Sequence, residues 1–177
     1  MEQHIARLEM ELNRLGKERV AAPAGNGQMP ADVASSFLYA LINNAQNVIY
    51  AKSTDGRFIL VNRTFSEIFG LDDGQVIGKT PFDLFPGDIA AQHVENDRQV
   101  TQSRTPLTFN EQAVASDGRH DYISVKFPIL DSSGAVVAIG GISTDITERV
   151  RMEEQLRDSE ELFRLAFQTS PDAINLN

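Results

Sequence analysis

Ala135-Val-Val-Ala-Ile-Gly-Gly-Ile-Ser-Thr-Asp-Ile-Thr-Glu-Arg-Val150 decides the reading of this chain. The run from Ala135 to Ile142 is apolar, the length of a strand and far short of the roughly 20 residues that span a bilayer. The polar Asp-Ile-Thr-Glu that follows opens straight into a charged, helix-forming run. A strand that feeds a helix without a loop is suited to pass a displacement from a domain core to whatever follows. Apolar residues at nearly every position also imply that both faces of this strand are covered. Short helices would cover one face, and a terminal helix or a second subunit the other.

Upstream, Leu107–Ser116 and Asp121–Leu130 read as two further strands, with turns at Asp117-Gly118 and Ser133-Gly134. Ile123, Val125, Phe127 and Ile129 alternate and mark one face of the middle strand. Pro128 predicts a bulge or an end there. Asn47–Lys52 and Arg57–Asn62 form a hairpin around Asp55-Gly56. Three short helices follow. Asn62 can cap the first, which carries Phe65, Ile68 and Phe69; Asp72 can cap the second; Thr80-Pro81-Phe82-Asp83 opens the third. Pro86-Gly87-Asp88 breaks the chain before a longer helix from Ile89 to about Ser103, and another helix precedes the whole from Asp32 to Asn43. This succession is a single α+β domain.

The flanks read differently. Ile5, Leu8, Leu12 and Leu15 are spaced as a short coiled coil over residues 1–20, or as an amphipathic helix on its own domain. Residues 21–31 are a linker by composition, 32–146 the domain, and 147–168 a helix. Asp145 and Glu148 have the spacing of a capping box at its start. Met152, Leu156, Phe163 and Ala166 fit an imperfect heptad seam with Arg149 and Ser159 as polar members. Leu162–Phe167 followed by Ser170-Pro-Asp-Ala-Ile174 parallels Phe37–Ile42 followed by Ala45-Gln-Asn-Val-Ile49, so residues 169–177 read as the start of a second, truncated copy. The chain is expected to be part of a longer protein.

At 177 residues with 41% hydrophobic content, the chain suits one soluble domain with appendages. A net charge of −9, with acids dispersed, argues against nucleic-acid partners. The absence of cysteine excludes disulfides and thiolate metal sites. No apolar signal core or membrane-length segment is present, which predicts a cytoplasmic location and no membrane contact for this segment.

Asn47-Val-Ile-Tyr with Asp55-Gly56 and Asn62, Phe65-Ser-Glu-Ile-Phe-Gly70, Val76-Ile-Gly-Lys-Thr-Pro-Phe-Asp-Leu-Phe85, and Gly140-Gly-Ile-Ser-Thr-Asp-Ile-Thr-Glu-Arg149 together resemble the PAS sensor domain with its C-terminal PAC motif, over roughly Ser36 to Val150. The resemblance implies a five-stranded antiparallel sheet with short helices on one face, flanked by N- and C-terminal coiled-coil helices. It implies a homodimer through the flanking helices and an output domain of histidine kinase or diguanylate cyclase type, as in two-component signal transduction. Neither output signature occurs in this chain, so no catalytic activity or catalytic residue is expected.

By the same resemblance, a pocket would lie between helices and sheet, enclosed by Tyr50, Phe65, Phe69, Phe82, Phe85, Phe109 and Ser124, with Asn62 and Lys126 as further polar groups. The plain alternative for the phenylalanines is core packing. Relatives hold haem, flavins, carboxylates, aromatic molecules or nothing, so the ligand, if any, is open. Of three histidines, His4 and His120 read as solvated. His93 lies on the helix where haem-binding relatives carry their proximal ligand, but one position out of register, which would turn it from the pocket; the relatives' pocket arginine has no counterpart. Flavin photochemistry lacks its cysteine. Asp145, Ile146, Thr147, Glu148 and Arg149 would be the signal relay, Asp145 and Thr147 fixing the strand-to-helix angle. The alternative to a sensor is a ligand-free protein-interaction and dimerisation relay with a packed core.

Overall fold

A computed structural model describes residues 30–169. The expected coiled coil, most of the linker, His4 and the repeat beyond Thr169 lie outside the described residues. Two units divide the chain after Asn44. In the first, α1 (Ala31–Asn43) ends where the side-chain amides of Asn43 and Asn44 donate to the carbonyls of Tyr39 and Ala40. Phe37, Leu38, Tyr39 and Leu41 are exposed on it.

The second unit holds β1 (Val48–Ser53), β2 (Phe58–Val61), α2 (Arg63–Phe69), α3 (Asp73–Val76), α4 (Pro81–Leu84), α5 (Gly87–Ser103), β3 (Leu107–Ala115), β4 (Gly118–Leu130), β5 (Val136–Asp145) and α6 (Thr147–Thr169). The five strands form one antiparallel sheet in the order β2-β1-β5-β4-β3. Because β2 and β3 are its two edges, the chain between them crosses one face of the sheet, and it does so as α2 to α5.

Local chemistry sets each element. Asn62, 1% exposed, is the pivot between hairpin and helices. Its Oδ1 accepts from the N–H of Ile49 at 3.0 Å and of Phe65 at 3.1 Å, while its Nδ2 donates to the Asn47 carbonyl at 2.9 Å. One side chain thus caps α2 and ties off the β1–β2 hairpin. Asp72 and Gln75 form a capping box at α3. At α4 the Asp83 carboxylate accepts from both the N–H and the hydroxyl of Thr80.

Two expectations change. β4 starts at Gly118, not Asp121, because the pairing with β3 runs down to Ala115 opposite Gly118. Pro128 does not end β4 and sits opposite Ile139; the register shift falls between Ile129 and Leu130. Proline is tolerated because β3 begins at Leu107 opposite Lys126, so beyond that pair β4 has, among the described residues, β5 as its only strand neighbour. On the outer face of β5, Ile142 is 38% exposed within the single chain.

The alternating Ile123, Val125, Phe127 and Ile129 occupy the sheet face away from the helices, half-buried to exposed. The helix-facing side of β4 is Tyr122, Ser124 and Lys126, all buried. Gly140 and Gly141 lie at the centre of β5. A Cβ at Gly141 would overlap the buried ring of Tyr50, and one at Gly140 would overlap the Phe127 ring on the opposite face. Gly141→Ala is expected to lower stability by about 1–3 kcal/mol, as overpacking does. Gly140→Ala should cost less, because the half-buried Phe127 ring has room to swing; urea denaturation of both variants measures the difference.

Candidate ligand cavity and helix junction

Between the crossing helices and the sheet lies a cavity of about 30 Å³. A single water needs roughly 10–15 Å³ on this measure, so the space suits a couple of waters or a molecule of few heavy atoms. A row of aromatic rings from β1, β2 and the crossing segment lines part of it. Ring centroids step from Tyr50 to Phe58 (5.8 Å), Phe65 (5.6 Å), Phe69 (4.7 Å), Phe85 (5.4 Å) and His93 (5.4 Å), mostly edge to face. Polar groups reach it from the sheet as Tyr50 and Lys52 of β1, Glu111 of β3, Tyr122 and Ser124 of β4, and Ser143 of β5, beside the apolar Val48, Phe58 and Ala113. The Ser124 and Ser143 hydroxyls bond each other at 2.8 Å. The Tyr122 hydroxyl is buried and has no hydrogen-bond partner. Burial, and then the carboxylates of Asp145 and Asp117, push that phenol upward, so it stays a neutral donor.

Beside this wall the charges neutralise one another. Asp97 of α5 accepts from Lys52 at 2.7 Å and from Lys126 at 2.8 Å. Lys126 also reaches Glu111 at 2.7 Å, and Glu111 accepts from Asn96 at 2.8 Å. The Lys126 side chain is wholly buried and that of Lys52 only 2% exposed. Burial pushes the Asp97 carboxyl up, but the two ammonium groups outweigh it and hold the group below the usual carboxylate range. Burial draws Lys52 down despite Asp97; burial pulls on Lys126 too, but Tyr50, Asp97 and Glu111 outweigh it and hold that group above the usual lysine value.

Of the residues expected to line a pocket, Tyr50, Phe65, Phe69, Phe85 and Ser124 do. Phe82 does not: Pro81 takes the buried position of α4 and Phe82, next along the helix, is 58% exposed. Phe109 is half-buried near the Lys126 ammonium, 6.0 Å from its ring centroid, and does not line the cavity. His93, expected to turn away, lines the cavity. Its Nε2 lies 2.9 Å from the Gln112 carbonyl, a contact that makes this nitrogen a donor. Burial lowers its pKa despite Glu111. With that nitrogen committed and so little room, the site fits neither a haem nor a flavin. Sequence reasoning passed over Lys52, Asp97, Glu111 and Tyr122. Lys52 shares the inward parity of Tyr50, Tyr122 that of Ser124 and Glu111 that of Phe109, and that parity was the available signal.

The strand-to-helix junction is held by backbone and side chain together. The Ile146 N–H donates to the Asp121 carbonyl at 2.8 Å, and the Asp121 N–H donates to Thr147 Oγ1 at 2.9 Å. Asp145 Oδ1 accepts from the Thr147 N–H at 2.8 Å. The Asp145–Glu148 capping box does not form, since α6 starts at Thr147 and the Asp145 carboxylate serves that residue instead. Glu148 and Arg149 face solvent, Arg149 pairing with Glu153 one turn on. His120 is not solvated: its side chain is 16% exposed, and its ring nitrogens lie 2.7 Å from Asp145 and 2.8 Å from Asp117. Its ring stacks on Tyr122 at 6.3 Å, so the cavity wall and the junction share a contact.

Residues 42–151 match the family model described as PAS fold. The chain belongs to that family. A diguanylate cyclase from Vibrio cholerae is 33% identical over 123 residues, 67% of this chain and 38% of that protein. The aerobic respiration control sensor protein ArcB of Escherichia coli is 28% identical over 123 residues, covering 69% of this chain and 16% of its own length. A solved PAS domain from Colwellia psychrerythraea superposes with a TM-score of 0.56 at 19% identity, covering 65% of this chain and 98% of that one. The chain is thus a PAS sensory domain of the kind found in signal-transduction proteins, and it spans 38% of the cyclase and 16% of ArcB. Among the described residues, no helix is long and apolar enough to cross a membrane.

Asp97→Asn leaves two buried lysines with one carboxylate fewer, and is expected to cost about 3–5 kcal/mol. Because the Asp97 pKa is depressed in the fold, its contribution is present above the ordinary carboxyl value near 4 and is lost as pH falls through the lower folded value. Denaturation midpoints between pH 3 and 6 should therefore fall more steeply in the native protein than in Asp97→Asn.

Proposed function

We propose that this chain is the sensory input module of a larger signalling protein, and that its cavity takes a small, neutral molecule with a hydrogen-bond acceptor. The unpartnered hydroxyl of Tyr122 carries this reading. A buried donor without a partner costs about 1–3 kcal/mol, and an acceptor in the cavity recovers it. Neutrality follows from the surroundings: Lys52, Lys126, Asp97 and Glu111 are already paired, so a charged ligand would bring a charge with no counterpart.

Occupancy would be felt at Tyr122, pass to His120 by ring contact, and reach α6 through Asp145, Ile146 and Thr147. Met152, Leu156 and Phe163 are exposed along α6, as a seam meeting a second copy requires, which supports a homodimer through the flanking helices. The relatives point to a kinase or cyclase as the output domain, and a cytoplasmic setting would give such a domain its nucleotide. A second reading, a ligand-free relay, draws support from the cavity's size and from the completeness of the buried ion pairs.

An absorption spectrum of the purified chain, followed by mass spectrometry of what denaturation releases, tests the choice. A colourless protein that releases a small neutral molecule, and releases less of it as Tyr122→Phe, supports sensing. Nothing released, with Tyr122→Phe more stable than the native chain, favours the relay. A haem or flavin spectrum would overturn both. In the full-length protein, Asp145→Ala should alter output while leaving ligand affinity in place; normal switching in that variant would sink the relay route.

A further inference from the structure

Both nitrogens of one imidazole face carboxylates at the start of α6. His120 Nδ1 is 2.7 Å from Asp145 Oδ2, and Nε2 is 2.8 Å from Asp117 Oδ1. A carboxylate only accepts hydrogen bonds, and a neutral imidazole has one N–H. Deprotonated, the ring would present a lone pair to one of the two anions. The arrangement is satisfied by the imidazolium alone.

We propose that His120 is a proton-binding site forming a second input to the junction: the imidazolium bridges Asp117 and Asp145 and holds the first turn of α6, and loss of its proton breaks one side of the bridge and loosens that turn. Asp145 makes the coupling direct, because its other oxygen accepts from the Thr147 N–H. What surrounds the ring agrees. Tyr122 of β4 stacks on it as a neutral phenol, Asp145 comes from β5, and Asp117 from the β3–β4 turn. From α6, Arg151 acts on Asp117 rather than on the ring. Asp121 accepts from Gln112, and Arg119 is turned toward Gln112 and Asp88. Among the described residues, no grouping of histidines and acids could hold a metal ion, so a proton is the occupant the geometry fits.

Burial pulls the His120 pKa down, but the hydrogen bonds and charges of Asp145 and Asp117 outweigh it and hold it above the ordinary imidazole value. The bridge is therefore complete at and below about pH 6.5 and is lost as pH rises through the raised value. Acid tightens the junction and alkali loosens it. No ligand in the cavity is needed, so failure of this inference leaves the small-molecule reading standing.

The test is an NMR titration of the full chain, with the His120 signal assigned by its loss in His120→Gln, together with hydrogen exchange at the Thr147 and Val150 amides corrected for intrinsic rates. The expected result is a His120 midpoint above about 6.5. That midpoint should fall in Asp117→Asn, which leaves Asp145 and Thr147 in place, and amide protection should drop several-fold across it. His120→Gln should show no such drop. A midpoint at or below that of free imidazole would overturn the proposal. So would protection that ignores pH, or the same pH dependence in His120→Gln.

Discussion

The carboxylate of Asp97 sits between two lysine ammonium groups that belong to different strands, and this three-way contact conditions the rest of the domain. Lys52 comes from β1 and Lys126 from β4, on either side of β5, so one side chain of α5 fastens the helix across the three central strands. Two buried cations on the inner face of a sheet are unstable alone, and they become tolerable where an acid from the covering layer meets them. The helix layer is therefore positioned by charge as well as by apolar contact. The cavity is what remains between the ion pairs on one side and the row of aromatic rings on the other.

The junction follows from the same layering. Asp121 brackets the start of α6 with both its carbonyl and its N–H, so the position of the helix is referred to β4 as well as to the strand that leads into it. Because Tyr122 is the next residue of β4, a change at the cavity wall and a change at the helix origin lie one peptide apart. This proximity lets a small space act on a long helix without rearrangement of the sheet.

Most of the architecture is legible from the sequence, since capping residues, turn glycines and alternating strands act locally. Asn62, Asp72 and Thr80 announce three helices because a cap needs only its own next turn. The inner side of β4 is legible only with difficulty. Alternation separates Ile123, Val125, Phe127 and Ile129 from Tyr122, Ser124 and Lys126, but apolarity points to the wrong set as the buried one. Lys126 is inside because Asp97 and Glu111 arrive from elsewhere in the chain, and no local pattern carries that. His120 reads as solvated for the same reason: its partners are a turn acid and a strand-end acid that folding brings to opposite sides of its ring.

The glycine pair at the middle of β5 separates two aromatic rings, Tyr50 on the inner face and Phe127 on the outer, where a side chain would otherwise stand. The spacing has a historical consequence. A larger residue at position 141 costs far less once position 50 has shrunk, and position 140 depends on position 127 more weakly, because the Phe127 ring can swing aside. Effects of substitutions within each pair are thus non-additive, and the order in which they arise matters. Lineages of this domain should exchange residues at these sites in couples, leaving the unaccompanied intermediates sparsely represented.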